Sequence, residues 1–135
     1  MNKTVFILRG VQGSGKSTVA HKIAGETGVV CSSDEFCYDE NGKYIWTPEL
    51  QVVARRKCQE KFVDSLNRGA EVIVVDGVNS DISRVSWFRR SAEKAGYVIH
   101  ILIVENHHGG KDIHDSLPHT IEFSEKELRK NIILR

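Results

Sequence analysis

The segment Gly10-Val11-Gln12-Gly13-Ser14-Gly15-Lys16-Ser17 sets glycine, four residues, glycine, lysine and serine in the spacing of a P-loop. Gly10, Gly13 and Gly15 allow positive φ and a close approach of backbone to phosphate. The loop amides, with the start of the following helix, would point partial positive charge at a β-phosphate. Lys16 adds a full charge for the β- and γ-phosphates, and the Ser17 hydroxyl is suited to a hard divalent cation. This constellation is expected to bind a nucleoside triphosphate, ATP, together with Mg2+.

Two further carboxylates have the right placement. Asp76 closes the apolar run Val72-Ile73-Val74-Val75, and a carboxylate at the C-terminal end of a parallel strand faces the crevice where open α/β sheets bind ligands. Asp76 is thus a candidate metal ligand beside Ser17; the alternative is a strand-ending aspartate that caps the next turn. Gly77 stands where ATP-driven motors place a water-activating glutamate, which disfavours a motor. Asp34 follows a second short strand and is a candidate base for an attacking hydroxyl. Ser33-Asp34-Glu35 equally suits a helix cap or a solvated loop.

These residues need a scaffold of alternating strands and helices. Thr4 to Leu8 reads as a buried strand, and Lys16 to Ala24 as a helix burying Val19, Ala20, Ile23 and Ala24. Val29 to Ser32 is a second strand, and Asp34 to Thr47 is expected to be a loop or irregular segment. Pro48 opens a helix to about Asn67, with Leu50, Val53, Phe62 and Leu66 facing inward. Glu71 to Asp76 is a third strand; Ser80 or Asp81 caps a helix to about Lys94; Tyr97 to Val104 is a fourth strand. Asn106 to Pro118 lacks hydrophobic periodicity and reads as a lid, and Ser124 with Glu127 has the form of a capping box for a last helix. The pattern implies a parallel sheet with helices on both faces in one domain over residues 1–135.

The bulk properties narrow the classes. Net charge is +1, so no global field draws the chain to nucleic acid or anionic lipid. The longest apolar run, Val98 to Val104, is broken by His100 and is too short to span a bilayer. Met1-Asn2-Lys3 leads straight into a strand without the form of a secretory signal, and Cys31, Cys37 and Cys58 have no CxxC spacing. They are expected to be free thiols in a reducing cytoplasm. No Asn-Lys-x-Asp stretch follows a late strand, which disfavours a GTPase.

The chain resembles the P-loop kinases related to the kinase domain of polynucleotide 5′-kinases, grouped with AAA-like and zeta-toxin-like nucleotide-binding proteins. The resemblance runs from about Lys3 to Pro118. It rests on Arg9-Gly10, Gly13-Ser14-Gly15-Lys16-Ser17-Thr18, Cys31 to Phe36, Gly42 to Trp46 with Pro48, Asp76-Gly77-Val78-Asn79, and His114 to Pro118. It implies an α/β three-layer sandwich with a four-stranded sheet in the order 2-3-1-4. It also implies Asp34 as general base and Thr18 as a further phosphate contact. The expected activity is transfer of the γ-phosphate of ATP to a hydroxyl of a polynucleotide or nucleotide-like acceptor. A nucleoside or small-molecule kinase is the near alternative, and a nucleotide-binding regulator with little turnover the distant one.

The chain departs from the family in its lid. Such kinases carry lid arginines on the transferred group, but Asn106 to Leu117 contains none, and Lys111 is its one strong cation. Lys111 is therefore the candidate for the arginine's place, with Arg84, Arg89 or Arg129 as substitutes from elsewhere. His107, His108, His114 and His119 lack a recognised metal-ligand spacing and fit a polar lid better. Arg55-Arg56-Lys57 and Lys61 form either a solvated helix face or a surface for a phosphorylated substrate. Tyr44 and Trp46 either stack on a base or pack over the loop.

Overall fold

The computed structural model describes residues 3–10, 15–77, 79 and 81–104. Its strands are β1 (Thr4–Arg9), β2 (Val29–Ser32), β3 (Val72–Asp76) and β4 (Val98–Ile103). Its α-helices are α1 (Lys16–Ala24), α2 (Pro48–Asn67) and α3 (Ile82–Lys94), with a single 3-10 turn over Ser33–Phe36. The strands form one parallel sheet of four in the order β2-β3-β1-β4. This is the α/β P-loop kinase-type architecture that the sequence led us to expect.

Side chains alternate across the sheet with the period of two that a pleated strand imposes. Val5, Ile7, Ile73 and Val75 point to one face, where Cys58, Phe62 and Leu66 of α2 and Val85, Phe88 and Ala92 of α3 cover them. Leu8 and Val74 point to the other, under Ala20 and Ala24 of α1. The helices thus lie on both faces, as three layers require. Phe62 is the hinge of the larger core, meeting Phe88 edge-on at 4.9 Å and Trp87 at 6.2 Å. On the edge strand β4, Ile99 and Ile101 join this core, while Val98, His100 and Leu102 are on the side where no described helix covers them.

The turn chemistry accounts for the boundaries. Thr47 accepts a hydrogen bond from the Leu50 amide and Pro48 takes the first turn, so α2 starts where its missing N–H costs nothing. Asp81, of the two candidates, caps α3 by accepting from the Ser83 amide at 2.9 Å. At Gly28 a side chain would collide with the Ala24 carbonyl, so only glycine lets α1 turn this tightly into β2.

The segment after β2 is irregular, as expected, and takes a definite form: Ser32 accepts from the Asp34 amide, which caps a 3-10 turn, and Tyr38 and Tyr44 form an antiparallel bridge. One local expectation is corrected. On α2 the inward face holds Ala54, Cys58 and Ser65 with Phe62 and Leu66, whereas Leu50 and Val53 are half-buried. Cys31, Cys37 and Cys58 are free and buried. Burial, then the nearby Cys58, pushes the Cys31 thiol up to about 12, so it packs as a small hydrophobe. Among the described residues no helix is long and apolar enough to cross a membrane.

Candidate functional site

Parallel pairing brings the ends of three strands to one edge. Ile7 pairs with Val75, and Ser32 pairs with Asp76. The chain leaving β1 toward the P-loop, the 3-10 turn after β2 and the end of β3 therefore share one crevice.

At its centre, Ser17 Oγ donates to Asp76 Oδ2 at 3.0 Å, across a sequence separation of 59 residues. Asp76 is only 8% exposed, and among the described residues no donor reaches its Oδ1. An orphaned carboxylate oxygen this deep is costly unless something else binds it. A hydroxyl beside a carboxylate is the oxygen set a hard divalent cation takes, so the residues fit magnesium. Gly15 caps α1 in the left-handed region (φ 88°) without a side-chain cap, and the first turn has no acidic residue. The amides there are left to a ligand, with the helix dipole favouring an anion. Lys16 is half-buried, Thr18 is exposed, and Gly10 is buried at the entry to the loop. Gly13 and Ser14 lie outside the described residues.

Two residues whose roles were not legible in the sequence hold this edge together. Arg9 is 1% exposed, and its Nε donates to the Asn79 carbonyl at 2.8 Å. Asn79 in turn donates from Nδ2 to the Leu8 carbonyl at 2.6 Å. Asn79 adopts φ 49°, a conformation asparagine tolerates better than most side chains. The reciprocal bonds pin the start of the P-loop to the turn after β3, which fixes Asp76 relative to α1.

Asp34 sits half-buried on the 3-10 turn, and Tyr44 donates its hydroxyl to Asp34 Oδ1 at 3.3 Å. Burial, then the Asp34 charge, holds the Tyr44 phenol well above its usual range, so it stays a donor. Glu35 is turned away: Lys61 donates to its two oxygens at 2.8 and 3.1 Å and to the Val30 carbonyl at 2.8 Å. Lys61 thus ties α2 to the end of β2, and of the acidic pair it is Asp34 that stays on the Tyr44 side. Trp46 is 60% exposed, and Arg89 and Arg90 are on the surface. A shallow groove between Arg56, Glu60, Val63 and Trp87 involves none of the crevice residues. Lys111, the lid over residues 106–117, the lid histidines, Arg129 and the last expected helix lie outside the described residues.

Fold and crevice together define a P-loop nucleotide-binding protein of the kinase type. The AAA domain family matches residues 5–108, and the chain belongs to that family. Solved structures share the fold at low identity. A chain of the Pnkp1/Rnl/Hen1 RNA repair complex superposes with a TM-score of 0.76 at 19% identity, covering 99% of this chain and 46% of that one. A chain of the AvrRxo1-ORF1:-ORF2 complex gives 0.69 at 21% identity, covering 98% of this chain and 49% of that one. The Mycobacterium tuberculosis APS kinase CysC, in complex with AMPPNP and APS, gives 0.53 at 18% identity, covering 98% of this chain and 72% of that one. The chain spans less than half the length of the first two.

Proposed function

We propose that this protein transfers the γ-phosphate of ATP to a hydroxyl of a nucleotide-like or polynucleotide acceptor. The observation that carries the reading is the Ser17–Asp76 pair beside the α1 N-terminus, with Asp34 on the same edge of the sheet. Ser17 and Asp76 would hold Mg2+, which supplies positive charge against the β- and γ-phosphate oxygens. The amides at the start of α1 and the Lys16 ammonium bind the phosphates, with Thr18 a further contact. Asp34, oriented by the Tyr44 hydroxyl, accepts the proton as the acceptor oxygen bonds to the γ-phosphorus. The bond from that phosphorus to the β–γ bridging oxygen breaks, and ADP leaves with the electron pair. Lys111 is assigned the charge stabilisation that a lid arginine gives in such kinases. The fold shared with a chain of an RNA repair complex motivates the polynucleotide among the acceptors. The three unpaired thiols suit a reducing cytoplasmic setting.

A second reading is favoured by one feature: residues 106–117 contain no arginine, which fits a nucleotide-binding regulator with little turnover. The test is incubation with γ-labelled ATP and a panel of 5′-hydroxyl DNA, 5′-hydroxyl RNA, nucleosides and small hydroxyl compounds. Label on a nucleic acid is the expected result. Label on a nucleoside or another small hydroxyl compound alone would replace the acceptor class, and tight ATP binding without label on any acceptor would favour the regulator.

A further inference from the structure

The ladder between β1 and β3 stops short of the crevice. Its last register pair is Ile7 with Val75, whereas β1 stays beside β4 as far as Arg9 with Ile103. Carbonyls point to alternate sides along a strand. Those of Lys3 and Arg9 accept from the Val98 and Val104 amides, at 2.9 and 2.7 Å, so the Leu8 carbonyl points the other way, toward β3. It lies past the last pair there, and a side chain meets it: Asn79 Nδ2, at 2.6 Å. Asn79 thus continues the ladder across the place where β1 and β3 part. The same residue closes a second bond through its main chain, its carbonyl accepting from Arg9 Nε at 2.8 Å. Both partners of this clasp are buried, Arg9 at 1% and Asn79 at 4% exposure.

Stability alone is a poor reason for such a clasp. Desolvating a guanidinium is costly, and apolar side chains of similar volume often pack at least as well. Asn79 also sits at φ 49°, where a side chain carries strain and glycine carries none. What the polar pair adds is a fixed spacing between two stretches of backbone. One is the end of β1 as it enters the P-loop, and the other is the turn that leaves Asp76. Asn79 Nδ2 lies 3.4 Å from the carbonyl of Gly77, the residue next to Asp76. On its other flank Asp76 is in register with Ser32 of β2. Asp76 is therefore held by β2 on one side and through the clasp on the other, with its Oδ2 at 3.0 Å from Ser17 Oγ.

We propose that Arg9 and Asn79 are positioning residues for the metal: they hold the Asp76 carboxylate where it and Ser17 can share a divalent cation with the nucleotide. This rests on Ser17 and Asp76 being the magnesium pair. Neither Arg9 nor Asn79 touches the cation, the nucleotide or the acceptor; they act through the backbone that carries Asp76. Groups that orient a metal ligand commonly account for about 10–100-fold of metal affinity.

The test is a calorimetric titration with ATP, once in excess magnesium and once in chelator, of wild type, Asn79→Gly, Asn79→Asp, Arg9→Met and Arg9→Lys. The readout is the ratio of the two affinities, whose change between proteins reports the metal that the protein holds. A general loosening of the P-loop would lower both affinities and leave the ratio alone. Glycine takes positive φ freely, so Asn79→Gly removes the amide without straining the turn. Its affinity in magnesium should fall about tenfold, with the affinity in chelator within about twofold of wild type. Asn79→Asp sets a carboxylate against the Leu8 carbonyl and should lose at least as much of the ratio. Arg9→Lys should keep part of what Arg9→Met loses. Should Arg9→Met fail to fold, Asn79→Gly carries the test. An unchanged ratio in Asn79→Gly, whether both affinities hold or both fall, would overturn the positioning role. A wild-type ratio near one would overturn the magnesium pair itself, and the role of the clasp with it. Binding needs no acceptor, so if γ-labelled ATP labels none while the contrast in ratio persists, the phosphotransferase reading fails and the clasp stands.

Discussion

Replacing Asp76 by asparagine should move stability and binding in opposite directions. The carboxylate is 8% exposed, accepts one bond from Ser17 at 3.0 Å, and leaves Oδ1 without a donor among the described residues. An unsatisfied buried polar atom costs about 1–3 kcal/mol, and more when charged. Asparagine keeps an acceptor for Ser17 and removes the charge, at the expense of a buried amide donor that needs its own partner. The net expectation is a nucleotide-free protein stabilised by about 1 kcal/mol, a rise in melting midpoint of about 3–5 °C for a domain of this size. Affinity for ATP with magnesium should fall at least tenfold, about 1.4 kcal/mol. A stability gain at the expense of binding is the mark of a site strained for its ligand. Differential scanning calorimetry in chelator and isothermal titration with magnesium and ATP give the two numbers. A variant destabilised by more than about 1 kcal/mol with unaltered nucleotide affinity would refute the reasoning, because Asp76 would then be capping the turn after β3.

Three further outcomes follow from the packing and caps. Phe62→Ala should cost about 3–5 kcal/mol in urea unfolding, because the ring is fully buried between Phe88 and Trp87; a loss under 1 kcal/mol would mean the core is not organised around it. Asp81→Ala should cost about 1 kcal/mol at neutral pH. The Ser83 hydrogen bonds hold the folded Asp81 carboxyl below its ordinary value, so this stability is present above the unfolded value and lost as pH falls through the folded one. The gap between wild type and variant should therefore close in acid, and a gap constant from pH 7 to pH 2 would contradict it. Cys31 should resist iodoacetamide at pH 8 in the native protein and react on unfolding, its thiol being buried and pushed up to about 12; rapid native labelling, read by mass spectrometry, would contradict the packing.

Local chemistry made much of the fold legible. Val72 to Val75 could only be a strand buried on both faces, and Thr47-Pro48 and Asp81 announce their helices through capping rules that act over three or four residues. The strand order came from resemblance, since nothing in a single parallel strand states its neighbour. The face of α2 was half misread because size is not burial: Ala54, Cys58 and Ser65 are inside where Leu50 and Val53 are not. Site residues were legible as types, but their partnerships were not. Arg9 finds Asn79 across 70 residues, and Ser17 finds Asp76 across 59. Tyr44 reads as an aromatic for stacking or packing, while the fold turns its hydroxyl onto Asp34.

The central claim is that Asp34 is the base of a phosphoryl transfer, and a single-turnover assay tests it most directly. Enzyme in excess over γ-labelled ATP, with magnesium and an acceptor taken from the panel, should move label to the acceptor hydroxyl. Asp34→Asn should slow that step by about 10²–10⁴-fold while ATP affinity stays within about twofold of wild type. Lys16→Ala, in contrast, should lose affinity for the nucleotide itself. A rate in Asp34→Asn equal to wild type, at saturating ATP and acceptor, would contradict the account.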